Sequence, residues 1–296
     1  MKKSVTIPST IISIALGILI ATAGSQGSES YNGIALFAIC ASVSFLLHWI
    51  IFIPSYIYQT EHYFDLVGSI SYIATVAVAA VMHPLLDLRG LIICILISIW
   101  AARLGSFLFI RVKRSGKDRR FDEMKKRFWR YLFTFTLGGA WVFITMAAGL
   151  AAITSMSPRP LGIWLAIGML LWVVGFAIEV IADQQKTKFR KNPDNAEKFI
   201  TTGLWAYSRH PNYFGEIVLW LGIGIIALPT LVGWQYMTLI SPIFVIFLLV
   251  KISGVRLLEE GGQKRWGADP AYQQYIATTS TLILLPKKSS LIAIKS

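Results

Sequence analysis

The sequence predicts an all-α fold, a polytopic membrane helix bundle of seven to eight transmembrane helices, and three observations carry that expectation. The chain is 55% hydrophobic and 15% charged, with a mean hydropathy of +0.61, where soluble domains carry roughly 25% charged residues. Its apolar residues gather in nearly uncharged runs of about 20 residues, the length a helix needs to cross a hydrocarbon core. Its 28 Lys and Arg fall almost wholly between those runs, on one alternation of sides. The same composition excludes disorder, a coiled coil and collagen.

The runs cover 7–23, 33–54, 64–82, 91–110, 131–153, 161–182, 213–229 and 235–252. The first follows Lys2 and Lys3 and is too long, with too vague a cleavage site at Thr22-Ala23-Gly24-Ser25, for a removed signal peptide. It is expected to stay as an anchor. With the N-terminus inside, the cytoplasmic segments hold two basic residues at the start, ten in 111–130, six in 183–212 and seven in 251–296. Only Arg89 and Arg159 fall on the other side, and Arg103 lies within the fourth run. Eight spans with both termini cytoplasmic satisfy the positive-inside rule. The net charge of +13 then reflects topology and anionic lipid, so nucleic-acid binding has no motivation.

Cys40 and Cys94 lie inside runs, with no CxxC pair and no His/Cys ligand spacing, so they predict packing rather than a disulfide or a metal site. Without repeats or a long linker, residues 1–296 are expected to form a single polytopic domain. There is no strand-borne GxGxxG, no P-loop and no HExxH. Gly138-Gly139 and Gly222 with Gly224 predict close helix contacts.

Ionisable residues in the bilayer persist mainly with a partner or a purpose. Asp65, Arg103, Glu179 and Glu216 qualify. Asp65 and Glu61 flank the start of the third span, where interfacial capping competes with function, and Arg103 near the cytoplasmic end of the fourth also suits a snorkelling cation. The densest constellation runs from Asp183 to Glu216. Asp183, Lys186 and Arg190 are spaced by three and four, so a helix continuing past the membrane would present them on one face. Pro211 suits a first helical turn, just after Arg209 and His210 and before Asn212 and Tyr213, at a helix start where backbone N–H groups are open to an anion. Glu216 would follow on the first or second turn among Val218, Leu219, Trp220 and Leu221, where a carboxylate needs a partner. Arg256, Glu259 and Glu260, then Tyr272 and Tyr275, would cap the same site or lie on anionic lipid with Lys287, Lys288 and Lys295.

Five ordered segments carry a family resemblance: Phe64-Asp65-Leu66-Val67-Gly68-Ser69; Trp100-Ala101-Ala102-Arg103-Leu104-Gly105 with Gly116-Lys117-Asp118-Arg119-Arg120-Phe121; Asp183-Gln184-Gln185-Lys186; Ser208-Arg209-His210-Pro211-Asn212-Tyr213-Phe214-Gly215-Glu216; and Tyr272-Gln273-Gln274-Tyr275. Over residues 60–275 the chain resembles a bacterial membrane family of a domain of unknown function in the steroid 5-alpha-reductase superfamily. That set includes isoprenylcysteine carboxyl methyltransferases and sterol reductases. The resemblance implies a multi-pass protein of the bacterial inner membrane that binds NADPH from the cytoplasm and reduces a hydrophobic, lipid-like enone. Its cofactor shell would comprise Arg103, Arg114, Asp183, Lys186, Arg190, Tyr207, Arg209, His210, Asn212, Tyr213, Glu216 and Arg256.

Trp100 stands three residues before Arg103, where steroid reductases carry a carbonyl-binding Tyr. Glu61 is the local counterpart of their partner Glu, and Tyr72 would restore the lost hydroxyl, so Glu61, Tyr72 and Trp100 are the catalytic candidates. Two readings compete. An S-adenosylmethionine-dependent methyltransferase is motivated by Arg209-His210-Pro211 and Glu259-Glu260, but that cofactor has no phosphate for the loop cations to hold. A transporter or structural protein would line a path with the buried charges, but the broken-helix repeats of transporters are missing from the sequence.

Overall fold

The computed structural model describes residues 3–115 and 121–287. Gly116-Lys117-Asp118-Arg119-Arg120, the side chain of Arg114, and Lys288 and Lys295 lie outside the described residues. The fold is the expected helical one. Its helices are α1 (Lys3–Gly24), α2 (Leu36–Ile57), α3 (Phe64–Met82), α4 (Leu88–Ser115), α5 (Phe128–Ile153), α6 (Ile163–Lys191), α7 (Pro211–Ala227), α8 (Ile240–Phe247), α9 (Val255–Trp266) and α10 (Pro270–Thr278). Among the described residues, eight helical segments are long and apolar enough to cross a membrane, one for each apolar run.

Three boundaries differ from the sequence reading, each for a local reason. The second run was expected from residue 33, but β1 (Ser30–Tyr31) and β2 (Ile34–Ala35) form a hairpin first. Asn32 and Gly33 turn it with φ of 49° and 80°, the paired left-handed geometry that Asn-Gly favours. The sixth helix continues beyond residue 182 to Lys191, carrying Asp183, Lys186 and Arg190 on helical turns. The eighth is irregular: a 3-10 segment at Gly233–Leu239 enters α8, and a π-helical turn at Leu248–Ile252 leaves it.

The described chain forms two compact units, Met1–Ile167 with Ile223–Ser241, and Gly168–Gly222 with Pro242–Ser296. In the first, α5 is the central helix, 89% of its apolar window buried, with α1, α2, α3 and α4 packed on it. Several of its buried polar residues bond within the unit. Gly138 leaves the slot that the His48 ring fills, since a Cβ there would come 2.8 Å from His48 Cδ2. His48 Nδ1 bonds the Ser44 carbonyl at 2.8 Å, and Ser44 Oγ meets Thr75 Oγ1 at 3.1 Å. Arg89 is buried rather than loop-exposed. Its Nη1 donates to Ile226 O at 2.8 Å and its Nη2 to Pro160 O at 2.7 Å and Arg159 O at 3.4 Å.

In the second unit, α6 and α7 cross at backbone contact. A Cβ on Gly175 would lie 2.6 Å from Gly215 O, and one on Gly222 would lie 2.6 Å from Gly168 O, the small-residue packing expected where apolar lipid gives helices no hydrophobic drive to associate. After α6, Gly203 takes φ of 62° so that Gln185 Oε1 can accept from Leu204 N at 2.9 Å. Trp205 Nε1 then bonds Ala182 O at 3.0 Å, and Tyr275 Oη of α10 bonds Trp205 O at 2.8 Å. These bonds bring the entry to α7 against both α6 and the C-terminal helices.

Candidate functional site

The second unit gathers most of the expected cofactor shell at the start of α7. Pro211 opens the helix, where its missing N–H leaves no bond unmade. Ahead of it, Ser208 Oγ donates to Leu282 O at 2.8 Å and accepts from His210 N at 3.1 Å, while Arg209 N donates to Ser280 O at 2.8 Å. An extended strap after α10 therefore fixes Arg209 by its backbone N–H and Ser208 by its hydroxyl, and Ser208 in turn holds His210 N.

Glu259 of α9 joins their side chains. Its Oε2 accepts from Arg209 Nη1 at 2.6 Å, and its Oε1 lies 2.7 Å from His210 Nε2. The carboxylate sets the histidine tautomer: Nε2 carries the proton toward Glu259, leaving Nδ1 as an acceptor. Burial dominates at His210 and lowers its pKa, against the raising influence of the Glu259 hydrogen bond and charge, and Lys186 and Arg209 push it down further. The imidazole is neutral at pH 7. Tyr213 stacks on it, ring centroids 5.8 Å apart, and Gly254 makes room for that ring, because a Cβ there would sit 2.8 Å from Tyr213 Cε2. Gly254 follows the π-helical turn, an irregularity common at functional sites. Burial and then the Glu259 charge raise the pKa of Tyr272, and burial raises that of Tyr275, so both phenols stay protonated.

On the facing turn of α6, Asp183 Oδ1 accepts from Asn212 Nδ2 at 3.2 Å. Glu179 and Asp183, one turn apart on α6, and Glu216 on α7 are all buried. Lys186 lies over the Trp205 ring at 4.7 Å. His210 Nδ1, Asn212 Oδ1 and Arg209 Nε are buried with no hydrogen-bond partner among the described residues. Two acceptors and one donor, with Lys186 nearby, are the complement that ribose hydroxyls, an amide and a phosphate would use, so the donor set fits NADPH. A metal fits poorly: no group of three or more His, Cys, Asp or Glu side chains able to hold one occurs among the described residues.

Other expected members of the shell are engaged elsewhere. Arg190 shares the α6 face of Asp183 and Lys186 by its spacing, but its side chain turns to other partners. It is exposed, reaches Ala196 O at 3.3 Å and lies 5.6 Å over the Trp266 ring. Arg265 stacks on Trp266 too and pairs with Glu197 at 3.0 Å, so these cations latch the loop after α6 to α9. Arg256 pairs with Glu260 at 2.9 Å on the exposed side of α9. Tyr207 is half-exposed and contributes its carbonyl, which accepts from Leu285 N at 3.2 Å.

The first unit holds the remaining candidates. Tyr72 and Trp100 are both buried and meet edge to face, centroids 5.1 Å apart at 90°. Arg103 is half-buried, its guanidinium 5.2 Å over the Phe107 ring, and Arg114 lies in α4. Glu61 is not brought to Tyr72. Phe64, three residues after Glu61, begins α3 about 12 Å of helical rise below Tyr72, and the buried Glu61 carboxylate is paired with Lys125.

Sequence reasoning placed Glu259 in a tail motif and Glu179 among buried acids, and included neither in the shell. A signal for Glu259 was present: Val255, Glu259 and Gly262 fall at i, i+4 and i+7 of one helix, so an inward face includes the acid while Glu260 turns out.

Segments of the chain are similar to curated proteins. It is 33% identical over 94 residues to the mouse Delta(14)-sterol reductase TM7SF2, covering 27% of this chain and 22% of the relative. It is 33% identical over 69 residues to the Bos taurus 3-oxo-5-alpha-steroid 4-dehydrogenase 1, 23% of this chain and 26% of the relative. A third match, 40% identical over 50 residues, is to a probable O-methyltransferase, ustE, of Ustilaginoidea virens, 17% of this chain and 18% of the relative. The chain spans about half or less of the length of the curated relatives it matches. No solved structure matches it. A family model described as "Protein of unknown function (DUF1295)" matches residues 49–279, well over half of the chain, and the chain belongs to that family.

Proposed function

We propose that this chain is a multi-pass membrane reductase that uses NADPH to reduce a carbon–carbon double bond in a hydrophobic, sterol- or isoprenoid-like enone, with its basic segments on the cytoplasmic side of a bacterial inner membrane. One observation carries the reading. Arg209, His210 and Asn212, within four residues, each keep a buried polar atom without a hydrogen-bond partner among the described residues, where Lys186 and Arg209 supply positive charge. The names of the mouse and bovine relatives support the reaction class.

NADPH supplies the hydride when bound. Lys186 and Arg209 would hold its anionic part by charge-assisted hydrogen bonds, His210 Nδ1 and Asn212 Oδ1 would accept from hydroxyl or amide donors, and Asp183 orients Asn212 for that role. Glu216, buried one turn into α7, would complete this wall. Tyr72 and Trp100 would face the substrate. The indole N–H polarises a carbonyl but has no proton to give at neutral pH, whereas the phenol can both donate a hydrogen bond and release a proton. Glu61 is then the anchor of Lys125, outside the reaction.

The test is a parallel titration of detergent-purified protein with NADPH, NADH and S-adenosylmethionine. Micromolar binding of NADPH alone is expected, and Glu216→Gln should weaken it about tenfold, ~1.4 kcal/mol, because the amide keeps the shape and loses the charge. The match to a fungal O-methyltransferase favours a second reading, methyl transfer to a lipid-borne acceptor. Binding of S-adenosylmethionine alone would replace the reductase with it, and binding of neither would point to a non-enzymatic membrane protein.

A further inference from the structure

The strap after α10 has a second face. From residue 280 to 285 its side chains alternate, with Ser280, Leu282 and Leu284 half-buried and Thr281, Ile283 and Leu285 exposed. Ile283 is 53% and Leu285 47% exposed, and Tyr207, whose carbonyl accepts from Leu285 N, is 50% exposed. Two aliphatic side chains and a phenol thus stand together at the surface, outside every candidate span. Pro286 and Lys287 follow, both exposed, and the next lysines in the sequence are Lys288 and Lys295. No acidic residue occurs between Asp269 and the last residue given. Aliphatic residues with a tyrosine and a run of lysines are the composition that settles at a bilayer's headgroup layer, where the rings partition and the lysines attract anionic lipid.

We infer that this strap docks on the anionic surface of the bilayer, with Ile283, Leu285 and Tyr207 entering the headgroup layer and Lys287 pairing with lipid phosphates. The docking reaches the polar site by a short path. The strap holds Arg209 through Ser280 O and, at its exposed edge, Thr281 Oγ1, and it holds Ser208 through Leu282 O. Lipid contact would therefore set the position of the Arg209 and His210 pair that Glu259 clamps.

The experiment uses a nitroxide on Leu285→Cys in the full chain, since Cys40 and Cys94 are buried. The labelled protein is placed in nanodiscs of phosphatidylcholine alone or with phosphatidylglycerol, and accessibility to oxygen is compared with that to a water-soluble nickel complex. A Gln274→Cys label, on the exposed side of α10, is the aqueous reference. The oxygen-to-nickel ratio at 285 is expected to rise severalfold over the reference when phosphatidylglycerol is present, and to fall back in Lys287→Glu. A ratio at 285 equal to that at 274 in both lipids would overturn the docking. A high ratio indifferent to phosphatidylglycerol and to Lys287→Glu would overturn the assignment of anionic headgroups. Neither readout depends on NADPH, so this inference and the proposed reaction fail separately.

Discussion

The two units satisfy buried polarity to different degrees, scattering or clustering the atoms they leave unmet. In the first, most of the bonding capacity of a buried cation, an imidazole and a phenol is met by the protein itself: Arg89 Nη1 and Nη2 by three carbonyls, His48 by Ser44 O, and Tyr131 Oη by Thr60 O at 2.6 Å, while Arg89 Nε and Thr145 Oγ1, far apart in the chain, have no hydrogen-bond partner among the described residues. In the second, beside Trp172 Nε1, unmet atoms cluster in one segment, at Arg209, His210 and Asn212, with Thr279 Oγ1 at the end of α10, among the described residues. Leaving a buried polar atom unpaired costs about 1–3 kcal/mol, and such exceptions ask for an explanation. A polar network largely closed on itself stabilises a bundle, whereas unmet atoms clustered at neighbouring residues are the feature on which the proposed ligand site rests.

The sharpest way to break that contrast is at Arg89. Replacing it with Met keeps the volume and strands three carbonyls in the first unit, so a loss of at least about 2 kcal/mol is expected. Thermal unfolding in detergent reads it, and the folded fraction should bind NADPH as the wild type does. A variant that melts normally would mean the first unit is not held by its internal polar bonds, and one that melts normally but loses NADPH would make Arg89 part of the site.

A smaller effect is expected at Glu61. Gln in its place can still accept from Lys125 but leaves that half-buried ammonium with the more distant Asp122, at 4.0 Å, as its counter-charge, at a cost of about 1 kcal/mol. If Glu61 belongs to the closed unit, Glu61→Gln lowers the melting temperature and leaves the pH dependence of NADPH oxidation unchanged. A catalytic Glu61 would show the reverse, a stable protein with a lost limb in the pH–rate profile.

The sequence was legible where physics acts on long windows. Runs of about 20 apolar residues found every span, and the Pro211 start of α7 was readable because proline at a first turn has a single local cause. It was less legible where partners are distant in the chain. Nothing near Arg190 discloses that Trp266 would draw it away from Asp183, and nothing near Glu61 discloses Lys125, because both pairings are made by tertiary packing. Glu259 lies between these cases, its helical face written locally but its partners, Arg209 and His210, fifty residues away. Asn32-Gly33 was legible and hidden, a turn signal absorbed into an apolar run.

The finest test of the contrast is the pH dependence of stability through His210. Its pKa in the folded chain lies below the ordinary value of about 6.5, mainly because burial disfavours the imidazolium. As pH falls through 6.5 the unfolded chain therefore takes up this proton first. The histidine's contribution is complete above that value and is lost as pH falls through its folded pKa. The melting temperature should decline between pH 7 and pH 5, and less steeply in His210→Gln, whose amide does not titrate there. Glu259→Gln should act the other way, because it removes the carboxylate that raises the His210 pKa and leaves Lys186 and Arg209, which lower it. Protonation is then pushed to lower pH, and the decline extends below the wild-type window. Identical slopes in all three proteins would mean that His210 titrates as it does in water, and the second unit would lose the buried acceptor on which its difference from the first depends.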